Sequence, residues 1–167
     1  MKSNRPEWEF FVRRIYVQAT LQEVYRNWAT GHGLETWFLS SAKFFLGKHL
    51  KTDTELAEEG NNYQWKWLSD DKFTGKGIIL HANHVDFLQF TFLDDQTSVT
   101  IKLQQKTGRV LVELRQEHRH RKSADRKKLY LACYAPWSFF LTNLRSILED
   151  GPDFRERNPD VKELVNS

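Results

Sequence analysis

Apolar and polar positions alternate at the start of the chain, over residues 10–19, where β-branched and aromatic side chains are frequent. Such alternation predicts a β-strand. Thr20 follows, with Glu23 three positions later, and this pair is typical of a capping box that begins a helix. Apolar side chains at helical spacing carry this helix to about Gly31, and a second short helix is predicted over residues 34–39.

The period of the pattern falls to two after the second helix. Apolar side chains then repeat on one face of each segment, as with Tyr63, Trp65 and Trp67, while Gln64 and Lys66 point the other way. Short polar turns separate the segments, so an antiparallel meander with one apolar face is predicted. The predicted strands cover residues 41–46, 63–68, 74–82, 87–93, 98–105 and 109–117.

The last long element is a predicted helix over residues 125–150, ended by Gly151 and Pro152. Pro136 lacks a backbone donor and is expected to kink this helix or split it in two. An α+β fold follows, in which a curved antiparallel sheet of about six to seven strands grips the long C-terminal helix, with two short helices after the first strand. The predicted apolar face of the long helix consists of Leu129, Cys133, Trp137, Phe140, Leu141, Leu144, Ile147 and Leu148.

Five stretches together resemble a known superfamily: VQATLQEVYRNWATGHGLETWFL, YQWKW, GKGII, LQFTF and WSFFLTNLRSILEDGPDFR. Their order and spacing are similar to those of the START-like (SRPBCC) superfamily and, within it, of the branch named for the activator of heat-shock-protein-90 ATPase homologue. The resemblance implies a helix-grip fold with a deep hydrophobic cavity between the sheet and the C-terminal helix. It also implies relatives that bind lipids, sterols, polyketides or other apolar molecules, with some cyclases and some co-chaperones, and no universal set of catalytic residues.

The length of 167 residues is enough for one domain. A single START-like domain over residues 1–167 is expected, with an ordered core at about 8–155 and a C-terminal tail at 156–167. Aromatic residues make up 14% of the chain, and this fraction indicates a bulky core or an aromatic-lined hollow. The formal net charge of +3 is too small to indicate a dedicated nucleic-acid-binding protein.

The densest positive charge lies in residues 118–128, HRHRKSADRKK. This segment has no aromatic residue for base stacking, so it is interpreted either as a solvated loop or as a contact for an anionic membrane surface or a partner. Residues 129–144 carry no charge, but a spanning helix needs about 20 apolar residues, so no membrane insertion is predicted. The N-terminal segment shows no signal peptide, and a cytoplasmic location is expected.

Nine residues are predicted to line a cavity between the sheet and the last helix. The tryptophans of the two short helices, together with Phe38, are expected either to seal the core or to line a ligand entrance. His32, between two glycines, is expected in an exposed turn, and Asn143 is expected to contact a ligand or to cap a neighbouring backbone. The nine candidates are Trp28, Trp37, Trp65, Trp67, Phe90, Trp137, Phe140, Asn143 and Leu144.

Reactive groups in the sequence are sparse. Cys133 is the single cysteine and is predicted to be a small buried hydrophobic residue. Structural zinc takes about four ligands, usually including cysteines, and the pairs His81/His84 and His118/His120 lack such partners. No metal, no cofactor and no catalytic residues are therefore predicted.

Three functions are considered. The leading hypothesis is non-enzymatic binding of a small hydrophobic molecule, lipid-like or polyketide-like, in a cavity between the sheet and the C-terminal helix. The alternative is a protein-interaction or co-chaperone-type module that acts on a heat-shock chaperone ATPase, and the second alternative is a cyclase- or hydrolase-like enzyme. The expected partners are thus a small hydrophobic ligand or a chaperone, and not a nucleic acid, with the protein a monomer or homodimer.

Overall fold

The computed structural model describes residues 8–70, 72–118, 121–158 and 160. The elements follow the predicted order of one strand, two short helices, a run of strands and one long helix. They are β1 (Phe10–Val17), α1 (Leu21–Ala29), α2 (Gly31–Trp37), β2 (Ser41–Leu46), β3 (His49–Leu50), β4 (Asn62–Lys66), β5 (Gly75–Ala82), β6 (Phe87–Phe92), β7 (Asp94–Lys106), β8 (Arg109–Glu117) and α3 (Ser123–Leu148).

The strands of the described residues form one antiparallel sheet of eight, in the order β1-β8-β7-β6-β5-β4-β2-β3. β1 lies at one edge of the sheet, beside β8. The short helices α1 and α2 follow β1, and α3 follows β8. They therefore come to the same face of the sheet, where α2 contacts α3. The short edge strand β3 was not predicted, because two residues, His49 and Leu50, are too few to show a period. The α+β class is as predicted.

The apolar face of the sheet is the predicted one. Ile101 of β7 pairs with Leu114 of β8, and both side chains are buried. Lys102 pairs with Glu113, and these residues point to the opposite face. Since side chains alternate along a strand, this register buries one face of the sheet against the helices and leaves the other to solvent.

The junction between α1 and α2 is tighter than predicted. α1 begins with the predicted capping box, whereas α2 begins at Gly31, because the Thr30 hydroxyl accepts a hydrogen bond of 3.0 Å from the Gly33 backbone N–H. A Cβ on Gly33 would lie 2.3 Å from the carbonyl oxygen of Arg26, so glycine is required at this close approach. His32 is exposed as predicted, but it lies in the first turn of a helix and not in an open turn.

α3 is continuous from Ser123 to Leu148, so of the two outcomes expected at Pro136, a kink or a split, the split does not occur. Pro136 and Ala132, four positions before it, are both exposed. The carbonyl that Pro136 leaves without a backbone donor is therefore on the solvent side, where water can replace the lost bond. Within the described ranges, no helix combines the length and the hydrophobicity needed to cross a lipid bilayer.

Candidate functional site

A surface cleft of about 300 Å³ opens between α3 and one end of the sheet. It is bounded by the helix, by the residue after α2, by the loop between β4 and β5, and by the turn between β6 and β7. α3 contributes Ala132, Cys133, Pro136, Trp137 and Phe140. The other lining residues are Phe38, Trp67, Ser69, Asp70, Phe73, Phe92 and Leu93.

The helical wall of the cleft follows from the spacing of residues on α3. Cys133, Trp137 and Phe140 are four and three positions apart, so they share the buried face of the helix. The ring of Phe38 packs against this face, with its centroid 5.1 Å from that of Trp137 and 4.9 Å from that of Phe140. Phe38 is only 2% exposed and therefore forms part of the floor of the cleft.

The rim of the cleft is apolar and open. Phe73 and Leu93 are 47% and 42% exposed, and the ring of Phe73 packs on that of Trp67 at a centroid distance of 5.8 Å. Leu93 has a φ of 69°, a left-handed conformation that costs a non-glycine residue about 1–2 kcal/mol. An exposed apolar rim of this kind is typical of a surface that meets a ligand or a partner.

Cys133 and Asp70 are the titratable side chains in the described lining of the cleft. Burial raises the pKa of the Cys133 thiol, so the thiol stays neutral at physiological pH and is a poor nucleophile. Asp70 Oδ1 accepts hydrogen bonds from the backbone N–H groups of Lys72 and Phe73, at 3.2 Å each. Asp70 thus shapes the loop that carries the rim.

A buried amide lies directly behind the helical wall. Gln116 on β8 has no exposed surface, and its Oε1 accepts a hydrogen bond of 2.7 Å from Trp137 Nε1. The same amide lies beside the Cys133 thiol, where it opposes the rise in pKa that burial causes. Gln116 Nε2 has no well-aligned hydrogen-bond partner among the described residues.

Comparison with known proteins places the chain in a family. Residues 18–149 match the family described as Activator of Hsp90 ATPase homolog 1-like protein. The chain belongs to this family. A comparison of the sequence with curated proteins gave no match.

Solved structures share the fold at low sequence identity. A protein from Staphylococcus saprophyticus is 16% identical with a TM-score of 0.69, over 87% of this chain and 96% of that one. The Aha1 dimer from Colwellia psychrerythraea is 14% identical with a TM-score of 0.64, over 85% and 97%. DynU16, from the dynemicin biosynthetic locus, is 17% identical with a TM-score of 0.65, over 89% and 50%. These matches confirm the predicted START-like fold.

In this member of the Hsp90 ATPase activator homolog family, eight of the nine candidate residues lie either in the cleft or in the core. Trp67, Trp137 and Phe140 line the cleft. Phe38 also reaches the cleft, whereas the tryptophans of the two short helices seal the core. The candidates packed in the core, each no more than 1% exposed, are Trp28, Trp37, Trp65, Phe90 and Leu144.

Asn143, the ninth candidate, ties two backbone segments together. Its Nδ2 donates hydrogen bonds to the Trp37 carbonyl oxygen at 2.8 Å and to Asp153 Oδ1 at 3.0 Å. Its Oδ1 accepts a hydrogen bond of 2.8 Å from the Phe154 backbone N–H. These bonds fit the expected cap on a neighbouring element, and Asn143 is not part of the cleft lining.

Other lining residues were not among the candidates. Phe73 comes directly after residues 69–72, which were predicted as a polar turn, and Leu93 stands alone at the end of a strand, so neither follows a pattern of its own. Phe92 did carry a signal, because the alternation in β6 places it on the apolar face. Cys133 is buried, as predicted.

The basic segment at 118–128 is only partly a solvated loop, since α3 begins inside it. Arg121 forms an ion pair with Asp94. Arg126 lies 3.3 Å from the carboxylate of Glu9, and both side chains are largely buried. Arg121 and Arg126, two cations of this basic segment, thus hold the start of α3 to the sheet.

The histidines considered as metal ligands are dispersed. His81 is exposed and lies 3.2 Å from the Glu59 carboxylate, whereas His118 is fully buried and desolvation lowers its pKa. His120 lies outside the described residues. Over the described part of the chain, His, Cys, Asp and Glu side chains form no group of three or more that could hold a metal ion.

Proposed function

We propose that this protein binds a small hydrophobic molecule in the cleft beside α3, without catalysing a reaction on it. The observation that carries the proposal is an opening of about 300 Å³ whose lining is mostly apolar, with aromatic residues as half of it. Ligand sites typically measure about 300–1,000 Å³ and are mainly apolar. The volume is at the low end of that range, which favours a compact ligand of one or two rings, polyketide-like in character, over a long lipid or a sterol.

Removal of the ligand from water against the aromatic wall supplies the affinity. A two-ring molecule that buries about 200 Å² of apolar surface gains about 5 kcal/mol at roughly 25 cal/mol per Å². Polar contacts add to this gain, and the loss of translational and rotational freedom takes part of it. A dissociation constant of about 0.1–1 mM is therefore expected for a simple two-ring probe.

The comparisons are consistent with this proposal. The proteins of a biosynthetic locus act on small organic molecules. DynU16 is described as a protein of the dynemicin biosynthetic locus. Its similarity to this chain supports the fold as a frame for such a ligand. The choice of ligand then depends on the residues of the cleft.

Two matched substitutions on α3 test the proposal. Ala132 lines the cleft, while Ala135 is also exposed, lies three positions further along the helix and does not line it. Ala132→Phe fills the opening and is expected to weaken binding of 2-acetylnaphthalene at least about tenfold, as measured by calorimetry. Ala135→Phe makes the same chemical change on the same helix and should leave binding unchanged. If both variants bind as the unmodified protein does, or if that protein does not bind, the proposal is wrong.

A protein-interaction role is a second candidate, supported by the exposed apolar side chains beside the cleft. Leu131 is 60% exposed and lies next to Ala132 on α3, and the family is named for activation of the Hsp90 ATPase. A chaperone that packs on this surface would lose contact in Leu131→Asp but not in Leu46→Asp, where an exposed leucine of β2 is changed. The test is the steady-state ATPase rate of purified Hsp90 in the presence of each variant. If the unmodified protein does not stimulate this rate, the protein-interaction role is rejected.

A further inference from the structure

The edge strand β1 has a row of backbone groups that its neighbour in the sheet does not use. β1 stands first in the sheet order, and β8 is its one partner within the described sheet. The other edge strand, β3, has only two residues and presents far less backbone. Unpaired N–H and C=O groups along an edge strand can pair with another extended chain. β1 is therefore the part of the described sheet that can accept a further strand.

The register shows which residues of β1 turn their backbone outward. The Glu9 carbonyl oxygen accepts a hydrogen bond of 2.9 Å from the His118 backbone N–H, so position 9 turns toward β8. The N–H and C=O of one residue point to the same side of a strand, and the side alternates along an antiparallel pair. The odd-numbered residues of β1 therefore bond to β8. The outward residues are Phe10, Val12, Arg14 and Tyr16.

The contacts around β1 agree with this alternation. The next even-numbered residue, Gln18, donates its backbone N–H to Glu149 Oε1 at 2.8 Å, so the open stretch of the edge ends at Tyr16. α3 packs on the inner face of β1, where the ring of Tyr130 lies 5.2 Å from that of Phe11. Within the described ranges, no side chain or loop bonds to the backbone of the four outward residues. Their N–H and C=O groups are free to bind a partner.

The side chains along this edge are rich in positive charge. Arg13 and Arg14 lie at the centre of β1, and they point to the inner and the outer face because side chains alternate. Two arginines of β8 also reach β1, since their guanidinium groups lie over its aromatic rings: Arg109 over Tyr16 at 3.8 Å and Arg115 over Phe10 at 3.7 Å. A chain that pairs with β1 therefore meets arginines on both faces of the sheet.

Only part of this charge is compensated. Arg14 pairs with Glu113 at 2.7 Å, and Arg115 pairs with Glu117 at 2.5 Å. Arg13 donates a hydrogen bond to the Tyr134 hydroxyl, which is neutral. Among the described residues, neither Arg13 nor Arg109 has a carboxylate within ion-pair distance. The edge thus carries two uncompensated positive charges, one on each face.

The same arginines oppose pairing of β1 with a second copy of itself. In a two-fold antiparallel pair centred on Arg13 or Arg14, that arginine would lie opposite its own counterpart. Like charges directly opposite on two strands are destabilising, and charged side chains on an edge strand protect proteins from self-association. A strand that carries carboxylates at these positions is attracted instead of repelled.

We propose that β1 binds an extended acidic segment of a partner protein, which adds to the sheet as an antiparallel ninth strand. The outward N–H and C=O groups of β1 supply the main-chain hydrogen bonds. Two adjacent carboxylates of the partner lie opposite Arg13 and Arg14, because adjacent side chains of a strand point to opposite faces. No residue of β1 lines the cleft beside α3, so binding at this edge does not depend on a ligand in the cleft.

Two peptides of the same length test the proposal with the unmodified protein. The acetylated and amidated peptide TVTEEVTV places its two glutamates opposite Arg14 and Arg13 in the antiparallel register, and TVTKKVTV differs only in its charges. Saturating TVTEEVTV should slow amide hydrogen exchange at the outward residues at least about tenfold, as measured by NMR for each amide. The amides of Phe11, Arg13 and Ile15 are the internal control, because they are already bonded to β8. No slowing at the outward amides, or equal slowing by both peptides, would overturn the proposal.

Removal of the central charges should remove the preference for the acidic peptide. The double variant Arg13→Thr with Arg14→Thr is expected to bind the two peptides with equal affinity. Lys43→Thr with Lys66→Thr makes a matched change at two exposed cations of β2 and β4, and it should keep the preference of at least about tenfold seen for the unmodified protein. Chemical-shift titration measures both ratios. A preference that survives in the arginine variant would show that β1 does not select acidic segments.

A backbone substitution tests the edge separately from its charge. Val12→Pro removes one outward N–H and spares the hydrogen bonds to β8, since edge strands accept proline where the N–H faces away from the sheet. This variant should bind TVTEEVTV at least about tenfold more weakly while the amide of Arg13 stays protected. Unchanged binding would contradict strand addition. If the outward amides are protected in the free protein and lose this protection on dilution, a second copy occupies the edge and the proposal is wrong.

Discussion

Two aromatic regions of this protein consist of the same residue types but differ in how they are closed. In the sealed core, Trp28 and Trp37 are at most 1% exposed, and their ring centroids lie 4.6 Å apart. In the cleft, Phe73 is 47% exposed and an opening of about 300 Å³ lies beside Trp137. Aromatic content therefore does not distinguish a packed interior from a binding site.

The difference lies in the segment that follows α3. We call residues 151–158 the C-terminal strap. Its Arg155 side chain donates hydrogen bonds to the carbonyl oxygens of Leu39 at 3.0 Å, Glu35 at 3.0 Å and Thr36 at 2.9 Å. These are carbonyls at the C-terminal end of α2, which would otherwise lack donors. The strap thus closes the sealed core, and among the described residues no equivalent segment covers the cleft.

The largest expected effect comes from truncating one tryptophan in each region. Trp37→Ala should lower the free energy of unfolding by about 4 kcal/mol, because it empties a fully buried site. Trp67→Ala should cost about 2 kcal/mol or less, because Trp67 is only partly buried and adjoins space that already exists. Urea denaturation measures both, and equal losses would contradict the division into a sealed and an open region.

Breaking the strap is expected to have the next largest effect. Arg155→Met should lower the free energy of unfolding by about 3 kcal/mol, because it leaves three carbonyls without their donor and removes the most buried charged partner of the Asp153 carboxylate. Arg157→Met removes an exposed partner of the same carboxylate and should cost about 0.5 kcal/mol or less. Similar losses in the two variants would show that the strap does not close the core.

The strap should also make stability depend on pH. Burial acts to raise the pKa of Asp153, but hydrogen bonds from Arg155 and Asn143, with the charge of Arg155, outweigh it and hold the pKa well below its usual value of 3.8. A carboxylate with a depressed pKa in the folded state stabilises the protein above its unfolded-state pKa. This stabilisation is lost as the pH falls below about 4.

The matched variant isolates this contribution. Asp153→Asn should be less stable than the unmodified protein at pH values above about 5, and the difference should shrink as the pH falls below about 4. Urea midpoints measured across this range give the comparison. A difference that stays constant with pH would show that the Asp153 charge does not stabilise the strap.

The smallest expected effect is on the reactivity of the single cysteine. Burial raises the pKa of Cys133, so alkylation by iodoacetamide at neutral pH should be slow. Because Cys133 lines the cleft, saturating 2-acetylnaphthalene should slow it by a further few-fold. Mass spectrometry measures the alkylation rate. If 2-acetylnaphthalene does not change this rate, the compound binds outside the cleft.

The sequence predicted which faces are apolar but not how far each face is covered. The alternation of Tyr63, Trp65 and Trp67 correctly placed all three on one face. Trp65 is 1% exposed, whereas Trp67 lies one residue beyond the end of β4 and is only partly buried. Periodicity reports the direction of a side chain, and coverage depends on elements that are distant in the sequence.

The strap and the buried amide show the same limit. Arg155 bonds to carbonyls more than 100 residues away in the chain, and an isolated arginine after a helix carries no local signal for such contacts. Gln116 shares the buried face of β8 with Val112 and Leu114, but no pattern in the sequence shows which of its polar atoms has a partner. At Pro136, where a kink or a split was expected, α3 is not split, and the carbonyl left without a backbone donor is on the exposed side.

The most direct test of the account is the position of a bound ligand relative to two methyl groups. Intermolecular nuclear Overhauser effects between 2-acetylnaphthalene and alanine methyl protons should be observed for Ala132, which lines the cleft, and not for Ala135, which lies on the same helix and does not line the cleft. Effects at Ala135 alone, or saturable binding without any effect at Ala132, would contradict the claim that the cleft beside α3 is the binding site.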